Sequence, residues 1–130
     1  MPRDIAGDLA RLALSLPETQ QRETWGEQTF RVQDKIFLTL SPDGALASLR
    51  TTMEQQTELI AMDPTSFSVA PYTGRFGWVL VHLATVDPDL VGEFVVAAWR
   101  RTAPRRVVAS YERATVDGED TGRVGRRRSL

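Results

Sequence analysis

Ile5, Leu9, Leu12, Ala13 and Leu16 recur at the spacing of one face of an α-helix. Asp4 stands where a helix cap belongs, and Pro17 follows the last apolar position. Residues 17–21 then read as a connector leading to Trp25-Gly26. The pattern changes after that. Residues 28–32 are rich in β-favouring side chains, and in residues 35–40 Ile36, Leu38 and Leu40 alternate with Lys35, Phe37 and Thr39, the period of a half-buried strand. Gln33-Asp34 is short enough for a tight hairpin. Ser41-Pro42-Asp43-Gly44 places Pro and Gly where a turn uses them, and a third strand follows over 45–51. The three strands predict an antiparallel meander.

Thr51 or Thr52 can cap a helix running to residue 62, with Gln55 or Glu54 completing a capping box, and Asp63-Pro64 ends it. Residues 67–70 are strand-like, 71–77 form a glycine-bearing loop, and 78–84 are an apolar strand. Asp87-Pro88-Asp89 has the acid, proline and second acid that suit a helix N-terminus. Leu90, Val91, Phe94, Val95, Ala98 and Trp99 give that helix its buried face. Pro104 predicts a kink and a further helix over 105–113, and the polar residues 114–130 predict a disordered tail. The expected architecture is therefore α+β: one antiparallel sheet of about five strands with helices on one face, in the order α-β-β-β-α-β-β-α-α. One ordered domain, residues 1–113, precedes the tail.

A chain of 130 residues can build a single core, and 42% hydrophobic with 25% charged residues is ordinary for a soluble globular protein. No run suits a membrane helix and no apolar segment follows the first residues, so a cytoplasmic protein without a membrane partner is expected. The absence of Cys removes disulfides, thiolate chemistry and Cys-ligated metals. The net charge of −1 is unevenly spread. Up to Trp99, seven basic residues face thirteen acids; from Arg100 onward, nine arginines face four acids. The near-neutral total argues against strong non-specific DNA binding, whereas the asymmetry leaves room for a local basic surface.

Several short pieces, in order, carry a resemblance. They are Leu16-Pro17-Glu18, Trp25-Gly26, Thr29-Phe30-Arg31-Val32 with Lys35-Ile36-Phe37, Ala70-Pro71-Tyr72, Gly77-Trp78 and Ala103-Pro104-Arg105-Arg106. Together they resemble the MmcQ/YjbR family over about residues 12–111. Trp99-Arg100 departs from the Ser-Tyr pair seen in many members, so a Ser hydroxyl role there does not carry over. The resemblance implies a frataxin-like, double-wing fold and a DNA-binding or DNA-associated accessory protein. The wings would correspond to the Gln33-Asp34 turn and the loop from Tyr72 to Gly77. Family resemblance identifies no reaction.

The residues themselves offer five candidate constellations. A basic surface of Arg31, Lys35, Arg50, Arg75, Arg100, Arg101, Arg105 and Arg106, with Tyr72 beside it, has the chemistry of phosphate contact and base stacking. Solvated charges paired with Glu23, Glu27 or Asp34 are the plainer account of the same residues. Trp25, Tyr72 and Trp78, close to glycines, are the candidate lining of a small-molecule pocket. The other aromatic residues, Phe30, Phe37, Phe76, Phe94 and Trp99, read as core or core edge. His82 is the sole histidine and has no partner for a metal or a catalytic triad, so it reads as structural. Glu18, Glu23 and Glu27 could line a groove with Arg22, where a carboxylate pair would serve acid–base chemistry, but acids in a connector read more plainly as solvated. Arg123 to Arg128 would add positive charge from the tail. No phosphate-binding loop, nucleophile elbow, zinc-helix motif or dinucleotide fingerprint is present in the sequence. The reading therefore leans away from an enzyme and names no cofactor and no metal. DNA is the partner that the resemblance implies; a small-molecule binder or protein-interaction module, monomeric or dimeric, is the alternative.

Overall fold

The computed structural model describes residues 3–122. Six strands form one antiparallel sheet: β1 (Thr19–Thr24), β2 (Glu27–Val32), β3 (Lys35–Leu40), β4 (Leu46–Leu49), β5 (Phe67–Val69) and β6 (Val79–His82), in the order β1-β2-β3-β4-β6-β5. Four helices complete the fold: α1 (Ile5–Ser15), α2 (Met53–Met62), α3 (Pro88–Thr102) and α4 (Arg105–Gly122). The α+β class, the single antiparallel sheet and the helical layer on one face all agree with the sequence.

The sheet has one strand more than expected. β1 occupies the segment read as a connector, and its sequence TQQRET has no apolar alternation because nearly all of it is exposed at the sheet edge. Polar and charged residues suit an edge strand, which has no second neighbour to pair with. Trp25-Gly26 is thus a two-residue hairpin turn between β1 and β2. Its φ angles are +52° and +85°, and those of Gln33-Asp34 are +50° and +69°. Positive φ at both central residues is the turn geometry that matches strand twist in a hairpin.

The expected alternation in β3 is also broken. The β2–β3 register slips between Phe30 and Arg31, so Phe30 faces Leu38 while Arg31 faces Ile36. Phe37 is the extra residue of a bulge, and both Phe37 and Leu38 are buried. Ile36 consequently leaves the face shared by Leu38 and Leu40 and joins Arg31 on the opposite one.

Helices α1 and α3 lie on the face that carries Phe30, Val32, Leu38, Leu40, Leu49, Val79 and Val81. Trp99 of α3 is fully buried; its Nε1–H donates to the Pro17 carbonyl at 3.1 Å, and its ring meets Tyr111 of α4 edge-on at 5.0 Å. The caps follow the sequence signals. Asp4 accepts from Gly7 N–H, Thr52 from Gln55 N–H, and Asp87 from Asp89 and Leu90 N–H. The last helix continues past the expected end at Arg113 to Gly122. Extending a helix already docked through Val107 and Tyr111 costs far less than starting one. Arg123 to Arg128 lie outside the described residues. Among the described residues, no helix is long and apolar enough to cross a membrane.

The Ser41–Gly44 turn carries a titratable lock. Asp43 accepts from Ala45 N–H at 3.0 Å and from the Ser41 hydroxyl at 2.7 Å, and these donors hold its carboxyl below the ordinary range. A depressed folded pKa stabilises the fold above the unfolded value of about 4 and loses that contribution as pH falls through the folded value. Denaturant titration of Asp43→Asn should therefore show a deficit that is constant above about pH 5 and shrinks below about pH 4.

Candidate functional site

Among the described residues, no helix lies across the centre of the sheet face opposite α1 and α3. Thr29 and Arg31 of β2, Ile36 and Thr39 of β3, Leu46 and Ser48 of β4, and Leu80 and His82 of β6 share it by register. The segment between β5 and β6 stands along one side of this face. It contains Pro71, Tyr72, Thr73 and a single 3₁₀ turn, Gly74–Phe76. Two adjoining cavities result. One, of about 460 Å³, has an apolar floor of Ile36, Leu46 and Leu80, a wall of Pro71, Tyr72 and Trp78, and Glu27 at its margin. The other, of about 510 Å³, is lined by Arg31, Asp34, Ile36, Arg50, Phe76 and Trp78. Ile36 and Trp78 line both, so the two are halves of one groove.

The wall is set by buried polar contacts. Gln56 of α2 is buried, and its side-chain amide donates to the Gly74 carbonyl at 2.8 Å and the Trp78 carbonyl at 2.7 Å. The buried Thr51 hydroxyl donates to the Gly77 carbonyl. Gly77 has φ +98°, and a Cβ there would lie 2.6 Å from the Thr51 carbonyl oxygen and 3.0 Å from the Met53 nitrogen. Glycine is required for the chain to pass this close to the start of α2. Tyr72 sits beside this anchored stretch with φ +65° and is 94% exposed.

Charge in the groove is unevenly satisfied. Arg31 and Arg50 are half-buried, and among the described residues neither has a carboxylate partner. Arg31 donates to the Thr29 and Thr24 hydroxyls, each at 3.1 Å. Arg50 donates to the Thr102 hydroxyl at 3.0 Å. Asp34 lies in the same cavity but pairs with Arg22 at 3.3 Å. A half-buried guanidinium held only by neutral hydroxyls retains donors and charge for an incoming anion.

The eight cations named from sequence do not form one surface: four lie at the groove, three elsewhere on the helices, and Lys35 stands apart. Arg31 and Arg50 share the groove, Arg101 donates to the Arg50 carbonyl at 3.4 Å, and Arg75 stacks at 4.8 Å on Phe76, a lining residue. Lys35 is exposed just beyond the Gln33-Asp34 turn. Arg100, Arg105 and Arg106 belong to α3 and α4. Arg100 pairs with Glu112 at 3.3 Å and lies over Tyr111, Arg106 pairs with Glu18 at 3.6 Å, and Arg105 is exposed at the first turn of α4.

Of the three aromatic residues named for a pocket, Tyr72 and Trp78 line the apolar cavity. Trp25 stands 98% exposed at the β1–β2 turn and is not part of that lining. The acids Glu18, Glu23 and Glu27 do not converge: Glu18 precedes β1, Glu23 is near its far end, and Glu27 borders the groove. Ile36, Leu46, Leu80 and the anchoring Gln56 were not among the sequence candidates. The signal for Leu80 was the run Val79-Leu80-Val81, in which both faces of the strand are apolar and both therefore need cover.

Two substitutions test how the wall is held. Gly77→Ala should destabilise the fold by at least about 2 kcal/mol, since a positive φ and a backbone clash add. Gln56→Leu should cost about 2 kcal/mol for two lost buried hydrogen bonds. Urea denaturation followed by Trp fluorescence measures both.

The comparisons with known proteins fit this geometry. No curated protein matches the chain. The crystal structure of Deinococcus radiodurans protein DR2400, with a DUF419 domain, aligns with a TM-score of 0.68 at 21% identity, over 76% of this chain and 80% of that one. At that identity the likeness is one of fold. The family model described as YjbR matches residues 14–101, which hold every strand, the groove wall and all but the last residue of α3. With well over half of its length matched, the chain belongs to the YjbR family.

Proposed function

We propose that this YjbR-family chain is a binding module that takes a small amphipathic anion in the groove on the open face of its sheet. One observation carries the reading. Two half-buried arginines, Arg31 and Arg50, whose side-chain partners among the described residues are hydroxyls alone, open onto an apolar cavity through the shared residues Ile36 and Trp78. Partial burial of an uncompensated charge is costly, and a bound anion would offset that cost. A ligand with an apolar body and one acidic end satisfies both halves of the groove.

A second reading, a DNA-associated accessory protein, has its own support. Trp25, Tyr72 and Phe76 are 98%, 94% and 65% exposed, and Arg75 stacks on Phe76, which suits unpaired bases. The charge balance speaks for the first reading, because the net charge is −1 and two of the eight cations named for DNA are tied to Glu18 and Glu112.

The two readings separate by titration. Small amphipathic acids should raise the melting temperature, and Arg31→Ala or Arg50→Ala should each weaken their binding roughly tenfold or more, the loss of a charge-assisted hydrogen bond. Fluorescence anisotropy with single-stranded and duplex DNA at two salt concentrations is the counter-test. Salt-dependent DNA binding that Trp25→Ala weakens, with no response to any acid, would replace the first reading by the second.

A further inference from the structure

We infer that the ligand is a planar aromatic carboxylic acid, its ring against Trp78 and Tyr72 and its carboxylate at Arg31 and Arg50. This rests on the groove reading above and adds the chemical class. The lining of the groove favours a flat ring. The ring of Trp78 belongs to both halves of the groove, Tyr72 stands on its apolar side and Phe76 on its charged side. Aromatic faces favour a flat ring over a chain of equal apolar area.

The wall of the groove is rigid. Gln56 and Thr51 bind the carbonyls of Gly74, Gly77 and Trp78, so the wall is formed before any ligand arrives. A preformed wall suits a rigid, flat body, which loses little freedom on binding, better than an acyl chain. Tyr72 fits the same picture. It is held at φ +65° with its ring almost wholly exposed, an unfavourable position both for the backbone and for an unsupported ring.

The charges around the groove suit a single negative charge on the ligand. Arg31 and Arg50 offer two forked guanidinium groups, but Asp34 lines the same half of the groove and Glu27 borders the other. Two nearby carboxylates oppose a doubly charged phosphate more than a singly charged carboxylate. The planar carboxylate also matches the fork of an arginine.

Isothermal titration of the full chain tests the class with 2-naphthoate, its neutral alcohol 2-naphthylmethanol, 2-naphthyl phosphate and decanoate. The expected result is binding of 2-naphthoate with affinity at least tenfold above each of the other three. Tyr72→Ala, an exposed position that leaves the core untouched, should weaken 2-naphthoate at least threefold and change decanoate by less than twofold. Arg50→Gln should weaken 2-naphthoate at least tenfold. Decanoate or 2-naphthyl phosphate binding as tightly as 2-naphthoate would overturn the aromatic-carboxylate class while leaving the groove reading in place. Binding of 2-naphthoate that neither variant alters would place it elsewhere and overturn the inference. No binding by any of the three acids would overturn the inference and the groove reading together.

Discussion

The amide of Gln56 ties helix α2 to the segment that walls the open face of the sheet. Helix α2 packs on the edge strand β5, and the segment from Pro71 to Trp78 crosses back toward the open face of the sheet. The amide of one buried side chain donates to the carbonyl of Gly74, where the 3₁₀ turn begins, and to that of Trp78, two residues past its end, and Thr51 holds the Gly77 carbonyl between them. Gly77 lets the backbone come close enough for these bonds to form. The backbone that carries Phe76 and Trp78 is held by these three side-chain contacts together with the backbone bonds from Gly74 N–H to the Ala70 carbonyl and from Ala70 N–H to the Trp78 carbonyl.

The two faces of the sheet divide the tasks of stability and binding. On the helical face, Phe30, Leu38, Leu49, Val79 and Val81 are completely buried, and α3 closes over them through Trp99. The opposite face keeps half-buried Ile36, Leu46 and Leu80 under a partial cover. The bulge at Phe37 links the two. It drives one more large side chain into the core, and it moves Ile36 to the open face, where Ile36 becomes the floor shared by both halves of the groove. A single inserted residue thus strengthens the core and shapes the site.

Much of the scaffold was legible from local patterns. Asp4, Thr52 and Asp87 act as caps because short polar side chains before an apolar helical face have few alternatives. β3, β4 and β6 show their apolar content directly. β1 was not legible, because a strand exposed over most of its length has no hydrophobic period and is held chiefly by pairing with β2. The face of Ile36 was read wrongly for a different reason: a bulge arises from the match between two strands and cannot be seen in either one. Tyr72 and Trp78 of the groove were legible as aromatic residues near glycines. Gln56 was not, since an amide in the middle of a helix reads as a solvent-facing residue until the carbonyls it serves, eighteen and twenty-two positions away, are placed. For Arg31 and Arg50, the chemistry was legible but the isolation from carboxylates was not, since it depends on which acids other arginines have already taken.

The central claim is that the open face of the sheet is a preformed amphipathic site. Amide and side-chain methyl chemical-shift mapping of the full chain with 2-naphthoate addresses it most directly. The account predicts saturable shifts concentrated at Ile36, Leu46, Arg50, Trp78 and Leu80, with the core residues Val91 and Val95 of α3 unmoved. Shifts centred on α3 and α4, or spread without saturation over exposed residues, would contradict it.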